Sequence, residues 1–294
     1  MKKKINKTLL FVGGGRWAKI WLSELIKKID LKKIYVLTSN NLIKKKNYKN
    51  FIHIKKISEV KLKNIDKIII ANKTKDHLKY LKKFNNLKKS ILVEKPFTND
   101  VKDFFNIKSN KANIFLGLQF SFAIYFFLLK KKIKNDQIKL IQIDWFDNPN
   151  EKKKFNNQIY FLEDVYYHFY SIIRIFAKNI KSILNKRSLI IFNNITTNYK
   201  DTKIILNASN KKKIKTRKIL IQTNKNKYLI NFVNMKKIII KKDGQIYKKI
   251  TKNIKNLPLQ ILYFLNNHYK IRVNSLNKLT YLFKDLRRIK NTLN

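Results

Sequence analysis

The first candidate site is a run of three consecutive glycines, whose backbone could bind a ligand. Gly13, Gly14 and Gly15 form, together with Ala18, the pattern G-x-G-x-x-A. In this pattern the first glycine allows a tight turn, the second lets a pyrophosphate approach the backbone, and the N-terminus of the following helix attracts its negative charge. The chain has only 5 glycines, so three in a row indicate a backbone that requires them. The alternative interpretation is a plain tight turn.

A lysine is the second candidate, because it follows a predicted strand directly. The apolar run Ile91–Val93 leads into the segment Glu94-Lys95-Pro96. Ligands of open α/β sheets bind at the carboxyl ends of the strands. Lys95 therefore stands where its ammonium could polarise a carbonyl or help to move a proton. The competing interpretation is a surface lysine, which most lysines of this chain are.

Asp164 and His168 form a third candidate group within a predicted helix, Glu163–Phe176. Their spacing of four residues places both side chains on one face, one turn apart. A carboxylate beside an imidazole orients it and stabilises its protonated form, which a general base for alcohol oxidation needs. An ordinary polar pair on a helix surface is the alternative.

The end of the second predicted strand bears on which dinucleotide would bind. It ends in Leu37-Thr38-Ser39-Asn40, without the Asp or Glu that usually binds the ribose 2′-hydroxyl of NAD. Arg16, Ser39 and the run Lys44 to Lys46 could receive a 2′-phosphate instead. The sequence therefore favours NADP at least as much as NAD, unless no residue here contacts the 2′ position.

Strands and helices alternate through the first 118 residues. Bounded apolar runs of this kind are typical of buried parallel strands, and the stretches between them are amphipathic. The alternation predicts βαβ units and a parallel sheet. The predicted strands are Thr8–Val12, Ile34–Leu37, Phe51–Ile54, Lys67–Ala71, Ile91–Val93 and Asn113–Leu118, and the predicted helices are Trp17–Ile29, Asp76–Phe84 and Asn99–Lys108.

The pattern changes after residue 118, so we expect one domain over 1–118 and a second over 119–294. A strand at Leu140–Phe146 and the helix Glu163–Phe176 are followed by strand after strand, which predicts a largely antiparallel sheet. These later strands are Ile204–Asn207, Ile219–Thr223, Tyr228–Val233 and Ile238–Lys241, and the closing helices are Pro258–Tyr269 and Ser275–Leu293.

The net charge of +51 raises the question of a nucleic-acid partner. Nucleic-acid binders usually concentrate charge on one face and use arginine for bidentate contacts. Here only seven of the 68 basic residues are arginine, and lysines run evenly from Lys2 to Lys290. Abundant Lys, Asn and Ile with scarce Gly and Pro match an A/T-rich coding bias. We expect no specific nucleic-acid partner, and the alternative is a functional polycation.

Composition and hydropathy exclude several kinds of site and argue against a secreted or membrane protein. The chain lacks cysteine, which excludes disulfides, thiolate metal sites and a cysteine nucleophile, and its four histidines lack the spacing of metal ligands, so no metal site is predicted. The run Leu9 to Val12 is too short for a signal peptide. The apolar stretch Ile114 to Leu129 falls short of the ~20 residues of a membrane span and predicts a strand running into a helix. We expect a cytoplasmic protein without a membrane partner.

Together these residues resemble the Gfo/Idh/MocA family of oxidoreductases, which includes glucose–fructose oxidoreductase and inositol dehydrogenase. The resemblance covers nearly the whole chain, and Glu94-Lys95-Pro96 is its most specific marker. The other markers are Gly13–Ala18, Ala71-Asn72…His77, Asp164…His168 and the tail Leu257-Pro258-Leu259…Phe264.

The resemblance implies an α/β protein: a Rossmann domain followed by an α+β domain with an open, mostly antiparallel sheet. It also implies NAD or NADP as cofactor, hydride transfer to or from a carbon of a sugar, cyclitol or nucleotide sugar, and a homodimer or homotetramer that pairs through the open sheet face. Lys95 matches a lysine that contacts cofactor and substrate, and His168, paired with Asp164, matches the usual acid/base. The expected cofactor-binding residues are Gly13, Gly14, Gly15, Arg16, Trp17, Ser39, Asn72, His77, Glu94 and Lys95.

Two features leave alternatives open. Ser171 stands where many family members carry Asp, three residues after the histidine. A cofactor-binding protein that has lost its chemistry and serves a regulatory or structural role is therefore the alternative function. The residues around His168 are unusually aromatic and would either stack on a sugar or belong to the core. They are Tyr166, Tyr167, Phe169 and Tyr170.

Overall fold

A computed structural model describes residues 2–39, 50–107, 112–148, 159–177, 180–234, 237–251 and 256–293. Close backbone contacts divide the chain into two units, Met1–Leu118 with Leu257–Leu279, and Gln119–Asn256 with Thr280–Asn294. In chain order the elements are β1 (Lys3–Val12), α1 (Arg16–Lys28), β2 (Ile29–Leu37), β3 (Phe51–Ile54), β4 (Lys67–Ile70), α2 (His77–Phe84), β5 (Ser90–Glu94), α3 (Lys102–Asn106), β6 (Asn113–Gly117), α4 (Ile124–Lys132), β7 (Ile138–Phe146), α5 (Phe161–Phe176), β8 (Leu189–Ile191), β9 (Asn194–Tyr199), β10 (Thr202–Ser209), β11 (Thr216–Thr223), β12 (Lys227–Asn231), β13 (Ile238–Lys242), β14 (Gln245–Ile250), α6 (Asn256–Leu265) and α7 (Thr280–Leu293).

The first unit is built on a parallel sheet of six strands in the order β3-β2-β1-β4-β5-β6. The apolar runs that predicted these strands lie in its interior, as Leu10, Ile69 and Leu92 are fully buried. This strand order, reversing beside β1, is that of a dinucleotide-binding Rossmann fold. The predicted α/β class and parallel sheet are confirmed.

Part of the C-terminal region packs against the open edge of this sheet. Ser275 bridges to Phe115 of β6, and the Phe264 ring meets the Phe115 ring at 6.0 Å. Lys67 of β4 donates a hydrogen bond to the Asn267 side chain, and burial lowers the pKa of Lys67 to about 8. The sequence predicts a second domain without a break from 119 to 294, whereas in the structure Leu257–Leu279 clusters with the first unit. An edge strand needs such a cover, because its unpaired backbone groups otherwise invite pairing with other chains.

The second unit contains a sheet of eight strands in the order β14-β13-β12-β11-β7-β10-β9-β8. Only the pair β7 and β10 is parallel in this sheet as described, which confirms the mostly antiparallel prediction. Side chains alternate along the central strands: Ile143, Leu206 and Ile219 are buried on the face that α5 covers. The opposite face is open and carries half-exposed residues such as Leu140 and Leu220.

The helix α5 supplies much of the second core. The four aromatic residues around His168 are all buried, so they belong to the core and do not form a wall for stacking on a sugar. The Tyr166 hydroxyl donates to Asp285 of α7 at 2.7 Å, and the Tyr170 hydroxyl donates to the Lys181 carbonyl at 2.8 Å. In the part of the chain that the structure describes, no helix is long and apolar enough to cross a membrane.

Candidate functional site

Gly13 lies at the end of β1, where the backbone leaves no room for a side chain. Its φ of +137° is a conformation that other residues rarely adopt. Its N–H donates to the Leu37 carbonyl at 3.0 Å. A Cβ at Gly13 would lie 2.7 Å from the Ala71 carbonyl oxygen and 2.9 Å from the Asn72 nitrogen. The first glycine of the motif is therefore required by the close approach of the β4 end.

Gly15 differs, because the space beside it is open. It is the N-cap of α1, it is exposed, and no described atom lies within 4 Å of where its Cβ would be. The first turn of α1 contains no acidic residue, and the Gly15 cap has no side-chain hydrogen bond to satisfy the first N–H groups. Ala18 is fully buried, which lets α1 approach the sheet closely. The N-terminus of α1 thus fits a pyrophosphate, and these residues fit NAD or NADP.

Asn72 and His77 follow β4, but they have different surroundings. The Asn72 Oδ1 atom is buried and has no hydrogen-bond partner among the described residues, which leaves an acceptor beside the glycine turn. His77 is 1% exposed, and its ring nitrogens lie 3.2 Å from the carbonyl oxygens of Asn72 and Phe97. Burial lowers the pKa of His77. His77 therefore ties the loop after β4 to the loop after β5, and its ring nitrogens face backbone carbonyls.

Glu94 is a buried carboxyl at the end of β5. It accepts the Lys95 backbone N–H at 3.0 Å. Burial raises the pKa of Glu94 to about 7, although a hydrogen bond from the Trp17 indole and the charge of Lys95 work in the opposite direction. The Trp21 indole also lies close to the carboxyl but outside the geometry of a hydrogen bond. A Cβ at Gly117 of β6 would lie 3.0 Å from Glu94 Oε1, so the carboxyl occupies the space that glycine leaves.

The other residues expected at the cofactor lie along the same edge of the first sheet. Lys95 is half-buried directly after β5, and the exposed Arg16 and Trp17 begin α1. Ser39 is exposed, two residues after the end of β2. Lys44 to Lys46 lie outside the described residues. The structure brings the glycine turn, Asn72 and the Glu94-Lys95 pair to the carboxyl ends of β1, β4 and β5.

The second unit contains Asp164 and His168, both on α5 as predicted. Asp164 is half-buried one turn before His168, which is 7% exposed. The imidazole is stacked on the Trp145 indole with 4.7 Å between ring centres and 20° between planes, and the Phe120 ring meets it edge-on at 5.0 Å. The Ser171 hydroxyl donates to the His168 carbonyl at 2.9 Å, so it is engaged with its own helix.

A guanidinium stands beside the same indole. The Cζ atom of Arg217 lies 3.9 Å from the centre of the Trp145 ring, and Arg217 is hydrogen-bonded to the buried Asp147. No local motif marks these residues in the sequence, although tryptophan and arginine are scarce in a chain so rich in lysine. Among the described residues, no group of histidine and acidic side chains could hold a metal ion.

One protein-family model matches most of the sheet-forming part of the first unit. A family model described as the oxidoreductase family with an NAD-binding Rossmann fold, GFO_IDH_MocA, matches residues 7–112. A search of curated protein sequences found no significant match.

Solved structures share the fold over nearly the whole chain. The dehydrogenase MviM from Clostridium difficile aligns with a TM-score of 0.74 and 17% identity over 98% of this chain and 99% of its own. UDP-N-acetylglucosamine 3-dehydrogenase GnnA from Acidithiobacillus ferrooxidans aligns with a TM-score of 0.76 and 13% identity over 98% of each chain. The transcriptional regulator Gal80p from Kluyveromyces lactis aligns with a TM-score of 0.72 and 13% identity, over 98% of this chain and 92% of its own.

Proposed function

We propose that the protein is an NAD(P)-dependent oxidoreductase of the cytoplasm, because residues 7–112 match the model of the Gfo/Idh/MocA oxidoreductase family with its NAD-binding Rossmann fold. Its reaction moves a hydride between nicotinamide and a hydroxyl-bearing carbon of a sugar, cyclitol or nucleotide sugar. The observation that carries the proposal is the glycine turn at α1 with Lys95 at the same edge of the sheet. GnnA, whose name gives UDP-N-acetylglucosamine as its substrate, supports a nucleotide sugar as one candidate.

The cofactor, when bound, supplies the hydride acceptor or donor. The glycine turn and the N-terminus of α1 would hold its pyrophosphate. Asn72 offers a buried acceptor beside that turn, and Lys95 offers a cation at the neighbouring strand end. Because no acidic residue ends β2, and Ser39 is exposed there, NADP binds at least as well as NAD. Titration of both dinucleotides by nicotinamide fluorescence tests this, and a strong preference for NAD would contradict it.

Three residues of this chain handle the proton and the charge at the substrate. His168 takes the proton of the hydroxyl that is oxidised and returns it in the reverse direction. Asp164, one turn earlier on α5, orients the imidazole and stabilises its protonated form. The Lys95 ammonium stabilises negative charge that develops on the substrate oxygen.

The test is a screen of sugars, cyclitols and nucleotide sugars, followed by variants on a confirmed substrate. We expect His168→Ala to lower turnover by ~10²–10⁴-fold while cofactor binding stays nearly intact, because general acid–base catalysis contributes about that factor. Lys95→Ala should lose at least as much, and Asp164→Asn should lose less than His168→Ala. His268→Ala, which changes a half-exposed histidine of the first unit, is the matched control. Full turnover in His168→Ala would overturn the catalytic assignment.

A cofactor-binding protein without catalysis is the second candidate. Ser171 favours it, because its hydroxyl is directed to its own helix where many family members carry an aspartate. The likeness to Gal80p, a transcriptional regulator, agrees with this possibility. Tight NAD(P) binding, with no turnover across the whole screen, would support this candidate over the enzyme.

We further propose that the protein forms a homodimer or homotetramer through the open face of the second sheet. That face carries half-exposed apolar side chains from its central strands, including Leu140, Ile205 and Leu220. Apolar side chains grouped on one face usually have a partner. Light scattering at micromolar concentration tests the assembly, and a monomer would contradict it.

A further inference from the structure

Trp145 and His168 form a stacked pair inside the second unit. Their rings are 4.7 Å apart and within 20° of parallel, and both side chains are buried. Phe120 closes another side of the imidazole edge-on at 5.0 Å. We propose that Trp145 is a positioning residue for the imidazole of His168, and that Arg217 holds Trp145 in turn. The proposal rests on the proposed function in that His168 moves the proton.

The imidazole needs such a support because its own torsions leave its plane poorly defined. The torsion between Cβ and a planar ring is broad and roughly two-fold, so backbone geometry alone does not set the direction of the ring nitrogens. A flat indole on one face and a perpendicular phenyl ring beside it restrict that torsion to a narrow range. Proton transfer depends on the direction of one ring nitrogen, so the stacking sets the productive geometry.

Trp145 is itself held from the neighbouring strand. Arg217 of β11 is the register partner of Trp145 on β7, and its Cζ atom lies 3.9 Å from the indole centre. One guanidinium nitrogen donates to the carbonyls of Phe146, at 2.6 Å, and Thr216, at 2.8 Å, and another donates to Asp147. A planar guanidinium with these partners is rigid, so a cation–π contact from it keeps the indole in one orientation.

Nuclear magnetic resonance on the full chain tests the positioning without any substrate. Ring protons of an imidazole over an indole face resonate upfield because of the ring current. His168→Ala identifies those resonances by removing them. We expect Trp145→Leu to move them downfield, Trp145→Phe to keep part of the upfield shift, and Arg217→Gln to shift and broaden them. Resonances of His168 that stay in place in a folded Trp145→Leu protein would overturn the proposal.

Kinetics on a confirmed substrate provide the second measurement. A misplaced general base lowers turnover by ~10²-fold, so Trp145→Leu should lower kcat by about that factor while KM stays unchanged. Trp145→Phe should recover most of the lost kcat, which a purely structural loss would not predict. Phe176→Leu removes a buried aromatic side chain of α5 two turns beyond His168 and is the matched control. Unchanged kcat in Trp145→Leu would overturn the proposal.

Two further results separate the possible failures. If Trp145→Leu does not fold, Trp145→Phe, which keeps an aromatic ring, and Arg217→Lys, which keeps the charge, replace it. A smaller upfield shift of the His168 resonances in Trp145→Phe then supports the proposal, and an unchanged shift overturns it. If wild-type protein turns over no substrate, the proposed function fails, while the resonances still report whether Trp145 orients the imidazole.

Discussion

Gly13 and Gly15 belong to one motif, but the space beside Gly13 is filled by backbone and the space beside Gly15 is open. Gly13→Ala should destabilise the first unit by more than the ~1–3 kcal/mol of backbone strain, because its Cβ would also meet the backbone of Ala71 and Asn72. Gly244, with φ of +87° and no described atom near its Cβ position, is the control for strain alone. Urea unfolding measures both variants, and equal losses would contradict the role of the close contact.

Gly15→Ala is the complementary change. Its φ is ordinary and the space beside it is open, so stability should fall by no more than about 1 kcal/mol, because alanine is a poorer N-cap residue than glycine. A methyl group there would occupy the approach of the pyrophosphate, and NAD(P) affinity measured by fluorescence should fall. Undiminished affinity would show that the phosphates do not bind at the N-terminus of α1.

Glu94 should make stability depend on pH. Its pKa is raised to about 7 in the folded chain from an ordinary 4.5, so the folded state binds more protons than the unfolded state between these values. Stability should therefore fall as pH rises from about 4.5 to 7, by up to about 3 kcal/mol, and not fall further above that range through this group. Glu94→Gln should remove the slope. Urea unfolding between pH 5 and 8 on both proteins measures it, and parallel curves would contradict the prediction.

Motifs predict the candidate residues that lie close together in the sequence, and they miss those that lie far apart. The glycine turn, Lys95 and the Asp164–His168 pair are local patterns, so the chain shows them before it folds. Trp145 and Arg217 come from two strands far apart in sequence, and only strand register brings them together. His77, which the resemblance places at the cofactor, depends for its position on two loops that meet in space, and both its ring nitrogens face carbonyls.

At the scale of elements, a single carboxylate ties α7 to α5. Asp285 accepts hydrogen bonds from the Tyr166 hydroxyl at 2.7 Å, the Ile183 N–H at 2.9 Å and the Ser182 hydroxyl. Asp285→Ala leaves buried donors without an acceptor, each costing about 1–3 kcal/mol. We expect it to destabilise the second unit by several times as much as Tyr166→Phe, which removes one donor. Urea unfolding compares them, and equal losses would show that Asp285 acts through Tyr166 alone.

The sequence predicts that a helix or strand exists more reliably than it predicts where that element ends. Apolar periodicity locates the six strands of the first sheet, but β14 has no such pattern because five of its six residues are exposed. β8 is only three residues long. The predicted helix Pro258–Tyr269 ends at Leu265, and two residues later Asn267 takes a φ of +54°. A backbone reversal at an asparagine is set by packing, which a linear pattern does not contain.

At the scale of the whole molecule, several of the few acidic residues accept hydrogen bonds from backbone N–H groups. Asp66 accepts the Thr8 N–H, Glu163 accepts the Tyr160 N–H, and Asp243 accepts the Lys227 N–H. With 17 acidic residues against 68 basic ones, such carboxylates serve the fold and leave most lysines without an opposite charge. We expect this excess of lysine to attract nucleic acids without sequence preference.

The charge should therefore produce nucleic-acid binding that is electrostatic alone. Affinity for DNA should be measurable at about 50 mM salt and fall steeply by about 200 mM, with equal values for unrelated sequences. Fluorescence anisotropy with two duplexes of different sequence and equal length measures this. Tight binding to one of them at physiological salt would contradict it.

The cover that Leu257–Leu279 forms on β6 has a consequence for how the chain is made. Synthesis runs from the N-terminus, so the ribosome releases all strands of the first sheet before it releases this segment. Until then, Phe115 and the outer edge of β6 have no Ser275 or Phe264 against them. The edge of the nascent Rossmann sheet thus stays uncovered until nearly the whole chain has been synthesised. We expect any chaperone that assists this protein to bind at that edge.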